Sequence, residues 1–119
     1  MFARVSTYQG PPELIDQGVS HARERILPAV RQIDGFSGVL FLVDRESGKA
    51  LSVTLWESER AMRASEEEAN RLRRESAEAG GETIEAVESY EVSILEVRLA
   101  GGEQEKGLID EARNRLRGR

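Results

Sequence analysis

The sequence predicts an α+β domain in the order strand, helix, strand, strand, helix, strand, with a four-stranded antiparallel sheet covered on one face by both helices. Three observations predict it. Phe2 to Tyr8 and Leu51 to Trp56 alternate with the two-residue period of a strand. Between them, apolar residues recur at steps of three and four from Ile15 to Ile33, as on one face of a helix. Right-handed crossovers between segments in this order place both helices on the same side of the sheet.

The elements follow in turn. In the first strand Phe2, Arg4, Ser6 and Tyr8 share one side, and Ala3, Val5 and Thr7 share the other. Gly10-Pro11-Pro12-Glu13 ends that strand and opens a helix, since proline fits a first helical turn and an acidic residue there suits the helix dipole. The helix runs to about Ile33 with Ile15, Val19, Ala22, Ile26, Val30 and Ile33 as its buried stripe. Pro28 interrupts it by removing one backbone hydrogen bond, so a kink or a new turn is expected between Glu24 and Pro28. Asp34-Gly35 stops it. Val39 to Val43 is an unbroken apolar run too short for an independent helix, and is expected to be a strand buried on both faces. The polar segment from Asp44 to Lys49 turns it back into Leu51 to Trp56 as a hairpin.

Ser58 is placed to cap the second helix and Gly80-Gly81 to close it. The inner face of this helix is small or polar at Ser65, Ala69 and Ser76, with Met62 and Leu72 as its larger members, which leaves room for a cavity. Thr83 to Arg98 supplies the last strand, with a bulge expected where the alternation changes phase at Ile94-Leu95. Residues 1–98 thus form one domain. Residues 99–119 form a charged C-terminal tail with a weak stripe of Leu108, Ile109, Ala112 and Leu116, expected to be flexible or a short helix.

Composition narrows the function. With 39% hydrophobic and 33% charged residues in 119, and the apolar ones gathered in periodic segments, the chain is globular. A net charge of −5 opposes nucleic-acid binding, which draws its affinity from concentrated positive surface. No stretch approaches the roughly 18 apolar residues that span a bilayer, and the N-terminus lacks a basic segment leading into an apolar signal core. No membrane partner is expected, and the reading is cytoplasmic. The absence of cysteine excludes thiolate ligation and a Cys nucleophile, and the single histidine, His21, leaves only carboxylates for a metal, so no metal or cofactor is expected.

Because Val39 to Val43 is apolar on both sides, the helix-free face of the sheet needs cover, and a second copy of the sheet is the economical one. Three segments carry a family resemblance: Gly35-Phe36-Ser37-Gly38, Leu55-Trp56-Glu57-Ser58-Glu59-Arg60-Ala61-Met62, and Ser89-Tyr90-Glu91-Val92. On these the sequence resembles the antibiotic biosynthesis monooxygenase-like family of the dimeric α/β-barrel superfamily, over roughly Met1 to Arg98. The resemblance implies a ferredoxin-like βαββαβ domain that pairs into a dimeric α/β barrel, hence a homodimer. The same frame hosts quinone-forming oxygenases, haem-degrading enzymes and proteins of no known activity.

The resemblance also implies a pocket. Trp56 matches the tryptophan that family oxygenases carry at the end of this strand, where the indole lines the substrate site; the competing reading is a packing anchor. The asparagine amides that accompany it there are missing, since the asparagines of this chain are Asn70 and Asn114. The axial histidine of the haem-degrading relatives is absent from the second helix, so that chemistry is not expected. Tyr8, Tyr90 and Ser52 are further pocket candidates as hydrogen-bonding groups on the strands, against a reading as fillers of half-buried positions. His21 is the one side chain that titrates near neutrality, and it lies on the flank of the first helix. Glu66-Glu67-Glu68 points outward in three directions and cannot converge on one cation.

The leading functional reading is a homodimeric small-molecule-binding protein. Its catalytic form is a cofactor-independent monooxygenase acting on an aromatic or quinol-type substrate that supplies its own electrons. The alternative is a non-catalytic ligand-sensing or stress-response dimer of the same fold, which the missing asparagines favour.

Overall fold

The computed structural model describes residues 1–98. The expectation of a flexible or short helical tail over 99–119 lies outside the described residues. Four strands, β1 (Phe2–Gln9), β2 (Phe36–Val43), β3 (Lys49–Trp56) and β4 (Thr83–Glu91), form one antiparallel sheet in the order β2-β3-β1-β4. The helices pack on one face of it, which is the ferredoxin-like α+β arrangement read from the sequence.

The first helical segment shows how Pro28 is accommodated. After a 3-10 turn at Pro12–Leu14, α1 (Ile15–His21) widens into a π-helical turn at Ala22–Ile26, and α2 (Leu27–Val30) restarts with Pro28 at its beginning. A wider turn just before the proline relieves the clash of its ring with the preceding carbonyls. Ile15, Ala22, Ile26 and Val30 are all buried, so the apolar stripe survives the irregularity.

The second helix departs from the expected single rod. It divides into α3 (Glu59–Ala64) and α4 (Glu66–Gly80), with Ser65 between them. The hydroxyl of Ser65 donates to the Met62 carbonyl at 2.6 Å, and Arg4 of β1 donates to the same carbonyl at 2.7 Å. That oxygen is therefore taken by side chains, and a helix loses the regular course of its backbone ladder where side chains claim a carbonyl. Both ends are as the sequence suggests. Ser58 Oγ accepts from the Ala61 amide at 3.0 Å, and Gly81 closes α4 in the left-handed conformation, φ 62°.

Three expectations are corrected. The last strand does not run to Arg98 but ends at Glu91, opposite Phe2 at the start of its partner β1, and the pairing closes with the Val92 amide donating to the Met1 carbonyl at 2.9 Å. The irregularity lies not at Ile94-Leu95 but in the pairing with β1, where Thr7 faces Ala86 and Tyr8 faces Ile84, leaving Glu85 as the extra residue. The apolar run in β2 is likewise not buried on both faces within one chain. Strand order places β2 at the sheet edge, and Leu40, Phe41, Leu42 and Val43 are each 37–46% exposed.

The hairpin between β2 and β3 is fixed by a backbone requirement. Gly48 adopts φ 83°, and a Cβ there would stand 2.0 Å from the Gly10 carbonyl oxygen, whose own amide donates to the Gly48 carbonyl at 3.2 Å. Gly48→Ala is therefore expected to destabilise the fold by more than the roughly 1–2 kcal/mol that left-handed backbone costs an L-residue. Gly38→Ala, whose Cβ would meet only Leu55 at 3.4 Å, is the tolerated control. Urea unfolding of the two variants beside the parent chain checks the contrast.

Candidate functional site

The site begins with which way the strands face. Register sets Arg4 opposite Thr54, Ser6 opposite Ser52 and Phe2 opposite Trp56, so these rows share one side of the sheet. That side is covered by the helices: Trp56 is fully buried in a cluster with Ala22, Ile26, Val30, Met62 and Leu72. The apolar row Leu51, Val53 and Leu55 takes the helix-free face. The layer between sheet and helices is thus unusually polar, with Arg4, Ser6 and Ser52 all less than 10% exposed.

Arg4 organises it. Its guanidinium donates to Ser65 Oγ at 3.2 Å, to the Met62 carbonyl at 2.7 Å and to Glu66 Oε2 at 2.7 Å, all at the junction of α3 and α4. Its Cζ also lies 5.7 Å from the centre of the Trp56 ring, within reach of a cation–π contact. Trp56 is held from two further directions, by an edge-on contact with Phe36 at 5.9 Å and by its own Nε1–H donating to Thr54 Oγ1 at 3.0 Å. The indole is therefore a packing anchor and a wall at the same time.

Beside it lies a cavity of about 40 Å³. Trp56, Thr54 and Ser52 form its floor with Arg4, Ser6 and Tyr8. Ile26 and Val30 of the first helical segment and Ala69, Leu72, Arg73 and Ser76 of α4 close it from above, and Val39 and Phe41 of β2 lie on the open edge. A dry cavity that admits benzene has about 150 Å³, while a water needs about 10–15 Å³. The space as it stands takes a few waters or a small polar group; a ring has to lie toward the edge strand.

Of the residues singled out from sequence, the structure brings Trp56, Tyr8 and Ser52 together. Tyr8 Oη and Ser52 Oγ are 3.5 Å apart, and burial raises the pKa of the phenol, an effect that the Ser52 contact and the charge of Arg73 partly offset. Tyr90 and His21 are not brought there. Tyr90 pairs with Ala3 on the helix-free face, is 51% exposed, and donates to Glu88 Oε2 at 3.0 Å. His21 lies between α1 and α4, its Nε2 at ion-pair distance, 3.0 Å, from Glu75 Oε2 but off the line of a hydrogen bond.

Sequence reasoning missed Arg4, Arg73 and Ser65. Arg73 is 8% exposed, donates to Asn70 Oδ1 and stands 3.6 Å from Glu66 Oε1. Burial lowers its pKa first, and repulsion from Arg4 second. One signal was available: Arg4 lies on the same side of β1 as Phe2 and Tyr8, and that side is the one opposite Trp56. Asn70 is one bond removed from the cavity but does not line it. Among the described residues, no group of three or more His, Asp or Glu side chains is placed to hold a metal ion, and no helix is long and apolar enough to cross a membrane.

These features define a ferredoxin-like α+β domain with a polar cavity under a buried tryptophan. The same fold is found in a candidate antibiotic biosynthesis monooxygenase from Deinococcus radiodurans, with a TM-score of 0.58 and 20% identity over 82% of this chain and 98% of that one. It is found equally in the monooxygenase from the gene ActVA-Orf6 of Streptomyces coelicolor, solved in complex with nanaomycin D, with a TM-score of 0.58 and 19% identity over 81% of this chain and 92% of that one. The family resemblance read from the sequence is thus borne out in the fold. In sequence, the chain is similar to the uncharacterized proteins Rv2557 and Rv2558 of Mycobacterium tuberculosis, at 40% and 36% identity over 95 residues, 80% of this chain. It spans less than half of their length, 42% and 40%. No protein-family model matches the chain.

The raised pKa of Tyr8 has a consequence with a definite sign. A phenol whose folded pKa lies above its unfolded value of about 10 keeps its proton in the native state after the unfolded chain has lost its own. Its stability contribution is complete below about pH 10 and is lost as pH rises through the folded value. Tyr8→Phe is expected to flatten the fall of melting temperature above about pH 10. Melting curves of both proteins across that range check it; parallel curves would remove Tyr8 as the cause.

Proposed function

We propose that this chain is a homodimeric small-molecule-binding protein whose site is the cavity beside Trp56, with an aromatic or quinol-type ligand. The observation that carries the reading is the union, in one buried space, of an aromatic wall and the hydroxyls of Tyr8, Ser6 and Ser52. Hydroxyls beside an aromatic surface suit a planar ligand that carries oxygen at its rim. That the Streptomyces protein of this fold was solved with nanaomycin D supports the same ligand class.

The catalytic form of this reading is a cofactor-independent monooxygenase, in which the protein orients and desolvates a substrate that supplies its own electrons. A specific observation favours binding without turnover: among the described residues no asparagine amide lines the cavity, and the polar groups that do are hydroxyls and guanidiniums. A non-catalytic ligand-sensing or stress-response dimer is therefore the second reading. Its proposed place is the cytoplasm.

The dimer rests on the helix-free face. Leu40 pairs with Val53 and Leu42 with Leu51, and Leu55 and Val5 continue the same surface. Leu40 and Leu42 are 38% and 46% exposed, and a contiguous apolar surface of this kind marks an interaction site on a soluble protein. A second copy laid face to face buries it by a two-fold operation.

Light scattering at micromolar concentration is expected to give twice the chain mass, and Val53→Asp to halve it; a monomeric parent would contradict the dimer. A reduced naphthoquinone is expected to change the emission of Trp56, the one tryptophan of the chain. Oxygen uptake on mixing separates the two readings, since a sensor binds the quinol without consuming oxygen beyond the rate in buffer.

A further inference from the structure

The cavity carries more positive charge than its packing uses. Arg4 is well engaged, with three of its five N–H donors going to a carbonyl, a hydroxyl and a carboxylate. Arg73 is not. It is buried and lines the cavity, yet of its five N–H donors it spends one, on the neutral amide oxygen of Asn70. Its nearest carboxylate, Glu66, is already held by Arg4 through the other oxygen and is 54% exposed, so part of its charge faces water. Two buried guanidiniums thus share one solvent-facing carboxylate. The other acid that acts on this region is Glu82, which bears on Tyr8 and whose own pKa burial raises, toward the neutral form.

A buried arginine with unspent donors is a costly arrangement unless an anion completes it, because a guanidinium stays charged and its N–H groups want acceptors. The lowered pKa of Arg73 reports the same cost, from burial first and from Arg4 second. The shape agrees. About 40 Å³ fits a carboxylate but not a ring, and the lining is polar at Tyr8, Ser52 and Ser76 but apolar at Val39 and Phe41 on the edge strand. Phe41 is 37% exposed, so that side borders solvent.

We propose that Arg73 anchors the carboxylate of a small aromatic acid, whose charged end enters the cavity among Tyr8, Ser52 and Ser76 while its ring lies toward Val39 and Phe41. The proposal rests on the cavity being the binding site and adds the charge of what binds there. Arginine presents a planar fork of donors that matches a carboxylate with two parallel bonds, which a hydroxyl-lined aromatic pocket alone does not offer.

The test compares 2-naphthoate with 2-naphthamide, which share a ring system and differ in charge. Calorimetry measures affinity, and the NMR shift of the Trp56 indole N–H reports whether binding is at the cavity. The parent chain is expected to bind naphthoate at least about tenfold tighter, the scale of one charge-assisted hydrogen bond. Arg73→Gln is expected to abolish that preference, and Arg73→Lys to retain part of it. Equal affinities in the parent chain, with the indole shifted by both compounds, overturn the acidic ligand class while the cavity reading stands. This arm needs no variant, so it decides even if Arg73→Gln fails to fold. A preference that survives in folded Arg73→Gln overturns the role of Arg73. If neither compound moves the indole, the cavity reading fails and the proposal with it.

Discussion

The contacts of Arg4 are the constraint on which the rest of this structure depends. A guanidinium on the central strand β1 reaches up between sheet and helices, takes the Met62 carbonyl, the Ser65 hydroxyl and the Glu66 carboxylate, and lies beside the ring of Trp56. A charge so deeply buried is tolerable only when its donors are matched, and the break between α3 and α4 supplies the acceptors. The broken helix, the buried charge and the fixed indole are therefore one arrangement. The 40 Å³ cavity is what remains beside it when the inner face of α4 offers Ala69 and Ser76 instead of large apolar side chains.

The sheet divides its two faces between two kinds of chemistry. Toward the helices it presents Arg4, Ser6, Tyr8, Ser52 and Thr54 beside Trp56, with Phe2, Val39 and Phe41 on the same side. Toward the other side it presents Leu40, Leu42, Val53, Leu55 and Val5. The open face is what departs from the usual order, in which the side without helices is wet. A polar interior is tolerated where its groups find partners, as Arg4 does in the Met62 carbonyl, the Ser65 hydroxyl and the Glu66 carboxylate. An apolar exterior is tolerated where another surface covers it, which is the physical ground for pairing two sheets.

Most of the fold was legible in the sequence, because hydrophobic period, proline and the capping serine are local signals. The alternation of Leu51 to Trp56, the stripe from Ile15 to Val30, the interruption near Pro28 and the Ser58 cap all appear in the structure. What was not legible depends on neighbours. The limit of β4 falls opposite the start of β1, and the exposure of β2 follows from its place at the edge. The polarity of the cavity escaped for the same reason: Arg4 reads as a solvent residue until the register with β3 puts it on the side of Trp56. Arg73 reads as one more charge on a charged helix. Of the pocket candidates, Trp56 rests on the family resemblance and Ser52 on strand alternation, whereas Tyr8, Tyr90 and His21 were chosen for chemistry without a face to hold them to, and of these three Tyr8 lines the cavity.

Hydrogen exchange in Arg4→Met tests this dependence most directly. Methionine fills most of the volume and removes the donors, so packing is kept while the hold on the α3–α4 junction is lost. The account predicts that exchange quickens together at the Trp56 indole N–H and at the amides from Met62 to Ala69, while the amides that pair β2 with β3 keep their protection. Unchanged protection at the junction and at the indole would contradict it, and would mean that the helices hold their place over the sheet without the arginine.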